Sequence, residues 1–280
     1  MATNERATAG DWLPADEFRG QVAVVTGGGT GLGLEISRGL AARGASVVVL
    51  SRNAEHHRAL ADEGARRGWT VEARSLDVRE APAVQKTAAE VLERHGQVDL
   101  LVNNAAGNFV CPSERLSANA WRAVLGIVLD GTFFCSRDFG RAMIARKSGV
   151  MLNVVATYAT TGMPGVAHSA AAKAGVLALT KTLAAEWAPH GIRVNAIAPG
   201  PFESEGSAAN LWPTPEARSA MQRKIPLGRL APAAEIARHS LYLLSSLCGW
   251  ITGTNLIVDG GMSLPPPMWA TGKRVEREGP

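Results

Sequence analysis

Val22-Ala23-Val24-Val25-Thr26-Gly27-Gly28-Gly29-Thr30-Gly31-Leu32-Gly33 is the stretch that decides the fold. Its first five residues are apolar or β-branched and do not alternate with polar ones, which is the pattern of a strand buried on both faces. The glycines that follow let the backbone turn tightly and come close to a ligand. Residues 31–43 then have helix length, and a helix N-terminus offers unpaired N–H groups and a positive dipole end to a phosphate. A glycine cluster alone is a weak signal. Between the first strand and the first helix of a repeating strand–helix series it is specific.

Working outward, the repeat is there. Short apolar runs recur at 47–50 (VVVL), 98–102 (VDLLV), 150–155 (VMLNVV), 192–197 (IRVNAI) and 255–258 (NLIV). Helix-length segments lie between them at 54–67, 81–95, 118–146, 169–188 and 233–246. Such alternation predicts an α/β chain: a single Rossmann-type, doubly wound parallel sheet with helices on both faces. The uninterrupted series places one dinucleotide-binding domain at 21–262, with an N-terminal extension at 1–20 and a tail at 263–280. Residues 200–229, rich in Pro, Ser, Gly and Glu, follow a strand. Ligands sit beyond the carboxyl ends of strands in open α/β sheets, so this segment is expected to be a substrate lid.

Composition narrows the function classes. The 280 residues are 46% apolar, enough for a sizeable core, and their net charge of +4 is scattered rather than blocked. With 5% aromatic residues there is little basis for a nucleic-acid groove. No apolar run approaches the roughly 20 residues that span a bilayer. Cys111, Cys135 and Cys248 are odd in number and far apart, which argues against a disulfide framework or a metal site. Residues 1–20 lack the apolar core of a signal peptide and carry four acids, so a cytoplasmic protein is expected. His56 and His57 are adjacent and face apart on a helix, and no Gly-x-Ser-x-Gly elbow of a serine hydrolase occurs.

The second strand ends in Leu50-Ser51-Arg52-Asn53. An acid there would bind the ribose 2′-hydroxyl of NAD, whereas a basic residue accommodates a 2′-phosphate. Arg52 therefore points to NADP(H).

The glycine turn, Asn103-Asn104-Ala105-Ala106-Gly107 after the fourth strand, and Pro199-Gly200 after the sixth together resemble the short-chain dehydrogenase/reductase family, over roughly residues 20–262. The resemblance implies that Gly27, Gly29, Thr30, Gly31, Leu32 and Gly33 hold the cofactor phosphates. It also implies Asp77 at the adenine, Lys173 at the nicotinamide ribose, and Pro199, Gly200, Pro201 and Phe202 beside the nicotinamide. In one respect the chain departs from the family. The usual Ser and Tyr, thirteen residues apart with Lys four beyond the Tyr, are here Ala156 and Ser169 ahead of Lys173.

The remaining polar residues are similar to the 2,4-dienoyl-CoA reductase branch: Asn108 and Phe109 after the Asn-Asn-Ala-Ala-Gly motif, Tyr158, and Ser169-x-x-x-Lys173 on one helix face. That chemistry tolerates loss of the usual tyrosine. Hydride addition to the far carbon of a dienoyl thioester moves charge to the thioester oxygen, where preorganised donors matter most. By the resemblance Tyr158 and Asn108 are those donors and Ser169 and Lys173 orient them. Asp130 would hold a water or Lys173, or would be an ordinary helix-surface acid. Acyl-CoA contacts would come from Arg52, Arg79, Phe109 and Ser117.

The lid sequence Phe202-Glu203-Ser204-Glu205-Gly206 is acidic where the branch tends to be basic, and Asn210 replaces an Arg. This would reroute the CoA phosphates towards Arg218, Arg223 or Lys224. Two alternatives stay open: a reductase of another activated alkene or carbonyl, and a catalytically silent NADP(H)-binding protein. The helices at 118–146 and 169–188 would form a homotetramer.

Overall fold

The computed structural model describes residues 13–53, 55–204 and 214–265. Seven parallel strands form one sheet: β1 (Val22–Thr26), β2 (Ser46–Ser51), β3 (Val71–Ser75), β4 (Leu100–Asn103), β5 (Gly149–Val154), β6 (Ile192–Pro199) and β9 (Asn255–Val258), in the order β3-β2-β1-β4-β5-β6-β9. β1 pairs with β2 on one side and β4 on the other, so the winding direction reverses between β1 and β4. A crevice opens at the carboxyl ends of strands at such a switch point. All five residues of β1 and all four of β4 are buried, as their continuous apolarity requires. β3 (VEARS) escapes a hydrophobicity reading because it is an edge strand with none of its residues fully buried.

Helices α1 (Gly31–Ala41), α2 (Glu55–Arg67), α3 (Ala81–His95), α4 (Ala118–Leu125), α5 (Gly131–Arg146), α6 (Tyr158–Thr161) and α7 (Ala167–Trp187) alternate with the strands. The expected helix at 118–146 carries one π-helical turn, Gly126–Asp130, between α4 and α5. The sheet separates two large apolar clusters. One is built on Ala23, Val25, Ile36 and Leu40, the other on Val24, Leu101, Phe139 and Met151.

Residues expected to be an appendage are partly core: Leu13 and Phe18 are buried in the first cluster, so packing begins before residue 21. Within 200–229, residues 205–213 lie outside the described residues. The rest forms β7 (Phe202–Glu203), paired in parallel with β8 (Ala231–Pro232), and α8 (Pro215–Arg223). Helix α9 (Ala233–Leu244) then packs on α1 and leads to β9.

Candidate active site

The glycine turn is shaped by close approaches. Gly27 and Gly31 have φ of +62° and +52°, a region that favours glycine. A Cβ on Gly29 would lie 2.7 Å from the His56 carbonyl carbon, and one on Gly33 would lie 3.0 Å from the Gly27 carbonyl carbon. Asn104 fixes the turn from β4: its amide donates to the carbonyls of Thr26 and Gly27, at 3.1 Å each. Thr26 Oγ1 in turn accepts from the N–H groups of Asn104 and Ala105, both at 3.0 Å. Sequence reasoning quoted Asn104 only as part of a motif; its position directly after a buried strand was the available signal.

Above the turn lies a cleft of about 400 Å³ walled by Gly27, Thr30, Gly31, Leu32, Arg52 and Asp77. Gly29 and Gly33 do not line it; they let α2 and the turn itself close up behind it. Arg52 is exposed at the cleft rim, and no acid follows β2 at that point. Asp77 sits on the rim with Arg79, whose Nε lies 3.0 Å from each carboxylate oxygen. The Arg79 hydrogen bonds hold the Asp77 carboxyl below its usual range. The glycine turn and the exposed Arg52 at the rim, which also acts on the Asp77 carboxylate, have the chemistry to receive the phosphates of a dinucleotide.

The cleft runs past Leu32, Asn104, Ala106, Asn108 and Phe202 into a second chamber of about 270 Å³. One polar cluster faces it. Tyr158 Oη is 3.1 Å from Ser169 Oγ and receives the Asn108 amide at 3.4 Å. Tyr158 comes from the start of α6, Ser169 from the first turn of α7, and Asn108 from the loop after β4. Burial holds the Tyr158 phenol above its usual pKa, against the opposing effect of the Ser169 hydroxyl. Lys173, one turn beyond Ser169, donates to the Val154 carbonyl, and burial lowers its amine to about 8. Ala156, where the resembled family carries a Ser, is part of the chamber wall. The other walls are apolar, from Val110, Met163, Pro164, Val166, Met221 and Met262. Sequence reasoning missed these residues, which come from four separate segments.

A family model described as Enoyl-(Acyl carrier protein) reductase matches residues 27–263. The chain belongs to the short-chain dehydrogenase/reductase family. It is 44% identical over 252 residues to a probable 2,4-dienoyl-CoA reductase [(2E)-enoyl-CoA-producing] of Bacillus subtilis (strain 168), covering 88% of this chain and 98% of that protein. Among solved structures, a short chain dehydrogenase from Bacillus anthracis is 42% identical with a TM-score of 0.79, covering 89% of this chain and 99% of that one. A gluconate 5-dehydrogenase from Burkholderia cenocepacia J2315 in complex with NADP and tartrate is 34% identical with a TM-score of 0.84, covering 90% and 99%.

This short-chain dehydrogenase/reductase is thus an oxidoreductase with the family's nicotinamide-cofactor architecture. Pro199, Gly200, Pro201, Phe202 and Lys173 line the second chamber, beside the expected cofactor path. Other expected residues are placed differently. Asp130 is exposed at the end of the π turn, whose buried residue is Val128, and Lys173 bonds to Val154 instead. Phe109 turns away from the chamber and stacks on His168, while its neighbours Asn108 and Val110 line the wall. Ser117 caps α4, accepting from the Ala120 N–H at 3.2 Å. Arg79 is engaged by Asp77, and Arg218 by Glu203 of β7. Of the cations considered for CoA phosphates, Arg52, Arg223 and Lys224 are exposed with no ion pair among the described residues. Glu205, Gly206 and Asn210 lie outside the described residues. No described helix is long and apolar enough to cross a membrane.

Proposed function

We propose that the chain is an NADPH-dependent reductase of 2,4-dienoyl-CoA thioesters. The observation that carries this reading is the Asn108–Tyr158–Ser169 cluster at the mouth of an apolar chamber, with Ala156 and Ser169 in place of the usual Ser and Tyr. The identity to the Bacillus subtilis reductase supports the same substrate class, and Arg52 at the rim supports NADP(H) over NAD(H).

NADPH, when bound, supplies the hydride to the distal carbon of the diene. The chain's own groups then act at the thioester oxygen. Tyr158 accepts from the Asn108 amide and shares a hydrogen bond with the Ser169 hydroxyl in which either oxygen can donate. With Ser169 as the donor, the single O–H of Tyr158 is free to donate to that oxygen. The second N–H of Asn108 is a further donor. Donors fixed before the charge develops need no reorganisation as it forms, and each is worth about 3 kcal/mol in the barrier. Lys173 binds ribose hydroxyls and, through its charge, favours electron density nearby. The methionine and valine walls exclude water from the dienoyl group.

The acyl-CoA phosphates would be met by Arg52 at the cofactor-side rim and by Arg223 and Lys224 at the end of α8. Four copies are proposed to assemble through α4 and α5, where Trp121 and Phe133 are exposed apolar residues. A cytoplasmic location fits three cysteines that are all unpaired.

The test follows NADPH absorbance with a short 2,4-dienoyl-CoA, a 2-enoyl-CoA and simple ketones. Oxidation with the dienoyl thioester alone supports the proposal. Oxidation with a ketone instead favours a carbonyl reductase, and oxidation with none favours a silent binding protein.

A further inference from the structure

His168 is fully buried, and neither of its ring nitrogens has a hydrogen-bond partner among the described residues. With neither nitrogen engaged, the ring acts on its surroundings through its faces rather than through hydrogen bonds. Burial also lowers its pKa, keeping the ring neutral. The imidazole stacks on Phe109, with ring centroids 4.3 Å apart and planes 27° from parallel. Each member of this pair is the chain neighbour of a residue in the polar cluster: Phe109 follows Asn108 and His168 precedes Ser169. Phe109 is further tied to its neighbour by its own N–H, which donates to Asn108 Oδ1 at 2.9 Å.

We infer that His168 is a positioning residue: its stack on Phe109 joins the Asn108 turn to the first turn of α7 and sets the Asn108 amide against Tyr158. Three segments carry the cluster, the loop after β4, the start of α6 and the start of α7, and the stack joins the first of them to the last. The 3.4 Å contact between Asn108 and Tyr158 is long for a hydrogen bond. A small shift of the loop would break it, and the stack opposes that shift. Phe109, expected to touch acyl-CoA, serves as the partner surface of His168. The ring face does this work, so a phenyl ring at position 168 would replace it.

The inference rests on the proposed dienoyl-CoA activity for its kinetic test but not for its structural one. His168→Ala is expected to lower kcat about ten- to a hundredfold with the KM for NADPH unchanged, because misplacing a donor by an ångström can cost about a hundredfold. His168→Phe is expected to keep kcat within about threefold of wild type, since aromatic stacking is retained. In an Asn108→Ala background, His168→Ala is expected to cost less than about twofold more, as for two residues acting through one contact. Full multiplication of the two losses, a His168→Phe protein as poor as His168→Ala, or unchanged kcat in His168→Ala would overturn it. The crystal structure of His168→Ala decides the matter without any substrate. A displaced Asn108 amide sustains the inference, and an amide still against Tyr158 Oη overturns it. Absence of turnover with every dienoyl thioester in the wild-type protein would sink the proposed activity, and that crystal structure would still decide the role of His168.

Discussion

Tyr158 Oη and Ser169 Oγ lie 3.1 Å apart although eleven positions separate them in the chain. The turn from α6 into α7, through Gly162 and Gly165 at φ of +69° and +83°, folds one back on the other. Ser169 thereby occupies the place of a tyrosine acid without its chemistry, and the phenol arrives from elsewhere. Removing that phenol hydroxyl is the most direct test. Tyr158→Phe is expected to lower kcat at least tenfold, from the loss of an oxyanion donor worth about 3 kcal/mol. NADPH affinity, read by fluorescence titration, should stay near wild type; unchanged kcat would exclude Tyr158 as a donor.

Lys173 makes the free enzyme sensitive to pH. Its folded pKa is lowered from 10.5 to about 8 by burial, so the amine is a cation below about 8 and neutral above it. The kcat/KM for NADPH, which reports the free enzyme, is expected to fall as pH rises through about 8. A profile flat from pH 7 to 9 would refute the assignment.

The same shift acts on stability with the opposite sign. Below about 8 both folded and unfolded states hold the proton, and the folded state bears the full cost of burying a cation. Between about 8 and 10.5 the unfolded state binds the extra proton, so stability rises with pH across that window. Lys173→Met is therefore expected to stabilise the apoprotein at pH 7 by about 1–3 kcal/mol. Urea unfolding of the two proteins at pH 7 checks this.

Arg52 should decide between the two nicotinamide cofactors. Its side chain stands exposed at the cleft rim after β2. Arg52→Ala is expected to weaken NADPH about tenfold or more while leaving NADH unchanged, because only the 2′-phosphate meets it. Equal losses for both cofactors would mean that Arg52 does not read the phosphate.

The glycine turn gives a stability prediction. Gly29→Ala places a Cβ 2.7 Å from the His56 carbonyl carbon, a rigid backbone atom of α2. The helix has to move, and a loss of about 1–3 kcal/mol is expected from such overpacking. Gly68→Ala meets no atom within 4 Å but has φ of +71°, so its smaller backbone penalty serves as the comparison. Equal midpoints for Gly29→Ala and wild type would show that the contact between the glycine turn and α2 yields freely.

The chain's linear order made the sheet readable because strands buried on both faces must be apolar throughout. Val22–Thr26 and Leu100–Asn103 are buried along their whole length in the structure, with Thr26 and Asn103 closing the apolar runs. It made the glycine turn readable because glycine is favoured at the positive φ of Gly27 and Gly31. β3 was illegible since an edge strand has one open side and needs no such signature. The set Asn108, Tyr158, Ser169 and Lys173 was named through a resemblance; the structure places Asn108, Tyr158 and Lys173 on one chamber and Ser169 behind Tyr158. Asp130, Ser117 and Phe109 were not separable from them in sequence, because the direction of a side chain near a π turn, a helix cap or a loop depends on what packs against it. The chamber's apolar wall was hidden for a related reason. Val110, Met163, Met221 and Met262 are ordinary residues until folding brings four distant segments together.

The sequence by itself determined that β1 runs into a glycine turn, that one parallel sheet carries it, and that Ala156 and Ser169 stand where the resembled family has its Ser and Tyr. These are local or periodic properties, set by backbone freedom, burial pattern and spacing. The tertiary structure alone decided which side chains face the chamber, that Arg79 and Arg218 are tied up by Asp77 and Glu203, and that a buried His168 of α7 stacks on Phe109 of the loop bearing Asn108. Those outcomes follow from through-space packing and pairing between segments far apart in the chain, which no local pattern encodes.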